Sequence, residues 1–180
     1  MKILETNRLI LRPWEEQDAE ELYEYAKNPK IGPRAGWKPH SSVQESLDII
    51  HMFQESEDVW AICLKETGKI IGSISLDQDG QRNLSVDDCR NLGYVLSEKF
   101  WGQGFMPEAC RAVLQYGFEQ LGLRVIGVNH YPDNLQSKRV IEKLGFEYNG
   151  TLIMASQIFD GSIRDLCCYS MTKEQYEKQK

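Results

Sequence analysis

Polar and apolar residues alternate through Arg8-Leu9-Ile10-Leu11-Arg12, which predicts a strand. Within 15–26, Ala19, Leu22, Tyr23 and Ala26 recur at helical spacing and predict a first helix. Residues 28–39 carry prolines at 29, 33 and 39 and glycines at 32 and 36, so they read as a loop. Ser41 and Ser42 offer caps for a second helix from Val43, with Glu45 near the capping-box position and Val43, Leu47, Ile50 and Phe53 on its apolar face. Segments 58–65 and 69–76 read as a hairpin joined by Glu66-Thr67-Gly68, and 77–88 as a polar loop. Residues 91–96 form an aromatic and β-branched strand. A glycine-punctuated turn, Trp101-Gly102-Gln103-Gly104-Phe105, leads into a helix marked by Met106, Cys110, Val113, Leu114, Gly117, Phe118 and Leu121. Pro107 suits the first turn of that helix, where its missing N–H has no helical acceptor to lose.

Beyond it, 124–130 is a β-branched strand, and Pro132-Asp133-Asn134 opens a helix that ends at Leu144 with Gly145 as its stop. Two strands follow, about 147–155 and 164–171, and then a charged tail over 173–180 that suits a frayed helix. The pattern predicts one mixed α/β domain over 1–180, with seven strands and four principal helices. It shows no repeat, linker or low-complexity run.

A length of 180 residues suits one domain with a sizeable core. A net charge of −6 argues against general nucleic-acid binding, which wants a basic face, and inclines the chain mildly toward cationic partners such as amines. No apolar run approaches a membrane span, and the first residues lack the apolar core of a signal peptide. The cysteines, at 63, 89, 110, 167 and 168, form no C-x-x-C pair, so a metal site is not expected. Free buried thiols in a reducing cytoplasm are the simplest reading. Cys167 and Cys168, adjacent in a strand, point to opposite faces.

The strand, glycine turn and helix over 91–121 have the makings of an anion site. A helix N-terminus leaves backbone N–H groups unpaired and partially positive, and glycines let the backbone come close to a ligand. That suits a phosphate or pyrophosphate. As a bare pattern it is also an ordinary strand-to-helix connection. It is not a P-loop, since no Gly-Lys-Ser/Thr follows, nor a dinucleotide fingerprint, since the third glycine is missing.

At Trp101-Gly102-Gln103-Gly104-Phe105-Met106-Pro107-Glu108-Ala109 the sequence resembles the GCN5-related N-acetyltransferases, in particular the RimJ/RimL-type branch that acetylates protein N-termini. Trp101 stands where the family has Gln or Arg, and Met106 where it has Gly or Ala. Neither matters much if backbone N–H groups hold the phosphates. Glu5-Thr6-x-Arg8-Leu9-x-Leu11-Arg12, Asn134-x-x-Ser137 with Glu142-Lys143-Leu144-Gly145-Phe146, and Arg164-Asp165 through Tyr169-Ser170-Met171 extend the resemblance over nearly the whole chain. It implies a central, mostly antiparallel twisted sheet, splayed in the middle and flanked by helices, and acetyl-coenzyme A as co-substrate with no metal.

By the same resemblance Val95, Leu96, Trp101, Gly102, Gln103, Gly104, Phe105, Met106, Asn134 and Ser137 are expected to hold the cofactor. A backbone N–H near Val95 or Leu96 would stabilise the oxyanion, with the strand splayed by a β-bulge. Ser137 is expected to protonate the departing thiolate, because Ile141 occupies the place of the tyrosine that many relatives use. Read as bare sequence, Asn134 is a helix cap and Ser137 a solvated serine.

For the base, Asn91 replaces the branch's frequent glutamate; it is expected to bind substrate, as an amide cannot take the proton. Asp87, Asp88, Glu98 and His130 are candidates, with His130 or bound water preferred. Trp37 suits a wall of the acceptor pocket and equally a core-capping aromatic. The acceptor is expected to be a peptide or protein α-amine, or else a small amine such as a polyamine, amino sugar or aminoglycoside. A coenzyme A-binding module without turnover and a nucleotide-binding domain are the competing readings. Homodimers are common in the family.

Overall fold

The computed structural model describes residues 1–180. The elements run β1 (Leu4–Glu5), β2 (Leu9–Arg12), α1 (Ala19–Ala26), α2 (Gly32–Ala35), α3 (Val43–Ser56), β3 (Val59–Leu64), β4 (Ile70–Gln78), β5 (Cys89–Leu96), α4 (Phe105–Gln115), β6 (Val125–His130), α5 (Leu135–Lys143), β7 (Glu147–Gln157), β8 (Ile163–Thr172) and α6 (Lys173–Lys178). All strands join one sheet in the order β1-β2-β3-β4-β5-β6-β8-β7, and only β5 and β6 run parallel. No helix is long and apolar enough to cross a membrane.

The sheet has eight strands rather than seven, because residues ahead of the Arg8 motif add the two-residue β1, paired with β2. The 28–39 segment contains a short helix, α2, with Pro33 in its first turn. The strand expected to stop at 76 continues to Gln78, since Asp77 and Gln78 still pair with Asn91 and Arg90. The helix expected to reach Leu121 gives way at Tyr116 to a π turn over Tyr116–Gln120. Gly117 lies in that turn against Ile126, where a β-carbon would sit 2.8 Å from the isoleucine.

Alternation places the two cores. Ile74, Leu76 and Leu92 face α4 and pack with Phe105, Cys110, Val113, Phe118 and Ile141. The opposite face meets α1 and α3 through Leu22, Tyr25, Ile50 and Cys63. Each leucine, isoleucine, valine or phenylalanine among them that is removed from water contributes about 1.5–3 kcal/mol.

The middle of the sheet opens. Cys89 to Leu92 pair with Val125 to Val128, but β5 runs on to Leu96 while Asn129 and His130 pair only with β8. Residues 93–96 therefore lose their neighbour on one side. The splay was expected to need a bulge in this strand, yet the β4–β5 register is continuous. The irregularity lies on the other side of β4, where Ile62 faces Gly72 but Cys63 faces Ile70. Departure of β6 opens the cleft.

Candidate active site

A cavity of about 520 Å³ fills the splay, walled by β5, the glycine turn, the start of α4, the end of β6 and α5. Gly102 (φ 74°) and Gly104 (φ 80°) both take the left-handed backbone that glycine adopts without strain. Gly104 caps α4, and none of the backbone N–H groups of Gly102, Gln103, Gly104, Phe105 and Met106 has an acceptor in the chain. Five consecutive free donors at a helix N-terminus suit a diphosphate. Arg34, Arg139 and Lys143 line the same cavity and bring positive charge to an acidic chain.

The turn is clamped from the N-terminal segment. Arg8 donates to the Gln103 carbonyl (3.1 Å), pairs with Glu108 (2.7 Å) and stacks on Phe105 at 4.2 Å. Glu108 also accepts from the Thr6 hydroxyl (2.6 Å) and the Arg8 backbone N–H (2.9 Å). Burial opposes ionisation of Glu108, but these hydrogen bonds outweigh it and hold the carboxyl below its ordinary range. Thr6 and Arg8 thus form one clasp with Glu108, a hundred residues further on from Arg8.

Backbone direction along β5 follows from one contact. The Ser97 N–H donates to Ile71 on the β4 side at 2.8 Å. With continuous antiparallel pairing, Val95, Gly93 and Asn91 turn their backbone groups to β4, and Leu96, Tyr94 and Leu92 turn theirs toward β6. The Val95 N–H therefore faces β4, not the cleft, and Val95 contributes its side chain to the wall. Tyr94 and Leu96 carry the N–H groups that look into the splay. The Leu96 carbonyl is taken by the Trp101 indole N–H at 2.7 Å, which fixes that ring below the turn. Arg34 lies 5.4 Å from the Trp101 ring centroid.

Asn134 caps α5, its side-chain oxygen accepting from the Ser137 N–H at 3.2 Å, while its amide donates to the Arg34 carbonyl at 3.2 Å. Ser137 Oγ lies 2.9 Å from the Tyr94 hydroxyl. Burial first, and Cys110 second, push the Tyr94 phenol well above its ordinary range, so it stays protonated. The sequence pattern does not single out Tyr94. A tyrosine in a strand reads as core, and only the splay brings it to α5.

Of the base candidates only His130 lines the cavity. His130 is 5% exposed; its Nδ1 donates to the Tyr131 carbonyl (2.8 Å) and its Nε2 faces the Tyr169 hydroxyl (3.4 Å), so both ring nitrogens are engaged. Glu98 pairs with Lys30 (2.6 Å) and Asn28 (2.9 Å), and Asp88 faces Arg124 (3.9 Å). Asp87 is exposed, and none of these three carboxylates lines the cavity. Asn91 lines it and accepts weakly from Asn129 at 3.4 Å.

A second cavity, of about 430 Å³, lies on the α1–α3 side of β5, and Gly93, Tyr94, Val95 and Ala35 border both. Trp37 forms part of its wall and also packs on Gly32 and, at 5.2 Å, on His40. Trp37 thus lines this cavity and packs against the α1–α3 core.

Comparisons with known proteins agree with this geometry. Residues 8–147 match the acetyltransferase (GNAT) domain family. An uncharacterised N-acetyltransferase of Bacillus subtilis, YoaA, is 32% identical over 95% of this chain and 97% of its own length. YdaF, named a candidate ribosomal N-acetyltransferase of the same species, is 31% identical over 63% of this chain and 59% of its own length. A GNAT-family acetyltransferase structure from Bacillus anthracis superposes with a TM-score of 0.85 at 21% identity, covering 96% of this chain and 99% of that one. With a splayed sheet, a free-donor glycine turn and a family match over most of its length, the chain belongs to the GNAT family of acetyl-coenzyme A-dependent N-acetyltransferases.

Proposed function

We propose that the protein moves an acetyl group from acetyl-coenzyme A to the α-amine of a peptide or protein by direct attack, with both substrates held at once. The observation that carries direct attack is the meeting of two cavities at β5. Donors for a diphosphate open into one, and the other offers room for an acceptor across residues 93–95. The peptide reading draws its support from the RimJ/RimL-type motifs and from YdaF.

Acetyl-coenzyme A supplies the activated acetyl thioester. The free N–H groups of Gly102 to Met106 bind its diphosphate, and Arg34, Arg139 and Lys143 add charge. The N–H of Tyr94 or Leu96 stabilises charge on the carbonyl oxygen. The Tyr94–Ser137 hydroxyl pair delivers a proton to the departing sulfur. Holding both reactants in adjoining cavities supplies the remaining advantage through proximity.

The test incubates the protein with acetyl-coenzyme A and a hexapeptide carrying a free α-amine and one lysine, with the N-terminally blocked peptide, spermidine and kanamycin as comparisons. Mass spectrometry is expected to find the label on the α-amine alone. Tenfold faster acetylation of spermidine or kanamycin would favour a small-amine acetyltransferase. Binding of acetyl-coenzyme A without thiol release from any amine would favour a module without turnover.

A further inference from the structure

The second cavity has a chemistry of its own. Leu22, Trp37, Ile49, Phe53, Val59 and Val95 make most of its wall apolar. Its polar groups are Tyr25, His40, Ser73, Ser75 and Asp77. One of them, the Tyr25 hydroxyl, lacks the partner that burial demands. The Tyr25 hydroxyl belongs to a side chain 4% exposed and makes no hydrogen bond of ordinary geometry, Ser73 being its polar neighbour. Asp77 is half-buried; it accepts one hydrogen bond, from the Ser75 hydroxyl at 2.8 Å, and forms no ion pair in a chain where thirteen such pairs occur.

Asp77 also sits at the junction. It pairs in register with Asn91, and Ser75 pairs with Gly93. A β-carbon on Gly93 would lie 3.5 Å from Asp77 Oδ2 and 2.7 Å from Ser75 Oγ. The missing side chain at 93 therefore leaves open the spot where the carboxylate reaches the strand shared by both cavities. An apolar pocket with one unpaired carboxylate in its lining and an unpartnered hydroxyl in its wall is shaped for a cation on an apolar body.

We infer that this cavity takes a primary amine attached to an apolar group of aromatic size, and that Asp77 receives the ammonium and removes its proton before transfer. The inference rests on the acetyl-transfer reading and specifies the acceptor side of it: the apolar group is the side chain of the peptide's first residue, and phenethylamine stands in for that side chain and its amine. The balance is complete. The ammonium gives one proton to Asp77, and the neutral nitrogen attacks the acetyl carbonyl carbon. The C–N bond forms as the C–S bond breaks, and the electron pair leaves on sulfur. Sulfur takes a proton through Ser137 and Tyr94, which recover one as the nitrogen sheds its second proton. Asp77 returns its proton to solvent.

The surroundings of Asp77 suit this role. Burial foremost pushes the carboxyl up to about 6; Asp58 at the head of β3 raises it too, while Ser75 and Arg90 of β5 oppose the rise. Arg90 is itself tied to the Val86 and Leu76 carbonyls, both at 3.1 Å. Across the cavity burial shifts the His40 imidazole toward its neutral form, which does not repel an ammonium, and its Nδ1 lies beside Ser46 Oγ at 2.8 Å. The free carboxylate is the active form, so activity is lost as pH falls through about 6.

The experiment uses phenethylamine as probe, with spermidine and uncharged 2-phenylethanol as comparisons. Calorimetric titration into the coenzyme A-loaded protein is expected to show phenethylamine binding at least tenfold tighter than either comparison, and at least tenfold weaker in Asp77→Asn. With acetyl-coenzyme A, kcat/KM for phenethylamine is expected to rise with pH through about 6, and Asp77→Asn to lower it at least tenfold and erase that limb. Equal binding of spermidine, no binding of phenethylamine, or an unchanged pH limb in Asp77→Asn overturns the inference. Failure of the underlying reading looks different: acetyl-coenzyme A itself would then fail to protect the wild-type protein against unfolding.

Discussion

A Gly104→Val variant loses acetyl-coenzyme A binding while keeping its fold. Gly104 caps α4 at φ 80°, a conformation that costs a side-chain-bearing residue about 1–2 kcal/mol and a β-branched one more. Space is not the obstacle, since a β-carbon there would meet only Arg8, at 3.6 Å. The backbone relieves the strain by turning, and the N–H groups of Gly102 to Met106 then no longer converge. A hydrogen bond to a charged group contributes about 1.5–3 kcal/mol. Losing two of them weakens binding roughly a hundredfold or more. Titration calorimetry measures the affinity and far-ultraviolet circular dichroism the fold. A dissociation constant within threefold of wild type would show that the turn does not hold the ligand.

Ser137→Ala and Tyr94→Phe are each expected to lower kcat about a hundredfold, the low end for a general acid, because a thiol leaves more readily than an alcohol or amine. Their hydroxyls stand 2.9 Å apart and act through one hydrogen bond. The double variant is therefore expected to be no slower than the worse single one. The defect is expected to shrink above the ordinary thiol range near pH ~8.5, where sulfur leaves unprotonated. KM for acetyl-coenzyme A is expected to change little, since the diphosphate donors are untouched. Losses that multiply, or that persist at high pH, would assign the two residues to separate structural roles.

Much of the site was legible because its parts are local. A glycine turn before a helix, and a cap at Asn134 with Ser137 a turn later, are written within a few residues. So are the helical and strand periods that order the sheet. What escaped depends on register and on contacts far along the chain. Asp77 reads as the start of a loop; only the pairing of β4 with β5 sets it opposite Asn91. Tyr94 reads as core, and its role appears only when α5, forty-three residues on, comes within reach. Val95 and Leu96 are neighbours in sequence, yet pairing sends their N–H groups to opposite sides. His130 has a suitable side chain at a suitable strand end, but Tyr131 and Tyr169 occupy its nitrogens. The helix α2 hides in a segment whose glycines and prolines announce a loop, although Gly-Pro is compatible with a first helical turn.

Thermal unfolding with and without acetyl-coenzyme A tests the central claim most directly, with ATP and NAD as controls. A ligand that binds only the folded state adds RT ln(1 + [L]/Kd), about 2.7 kcal/mol at a hundredfold excess over Kd. For a domain of this size that is a rise of roughly 5–10 °C in Tm. The account predicts this rise with acetyl-coenzyme A alone, and its loss in Gly104→Val. No shift at millimolar acetyl-coenzyme A, or an equal shift with ATP, would contradict the assignment of the α4 N-terminus to the coenzyme's diphosphate.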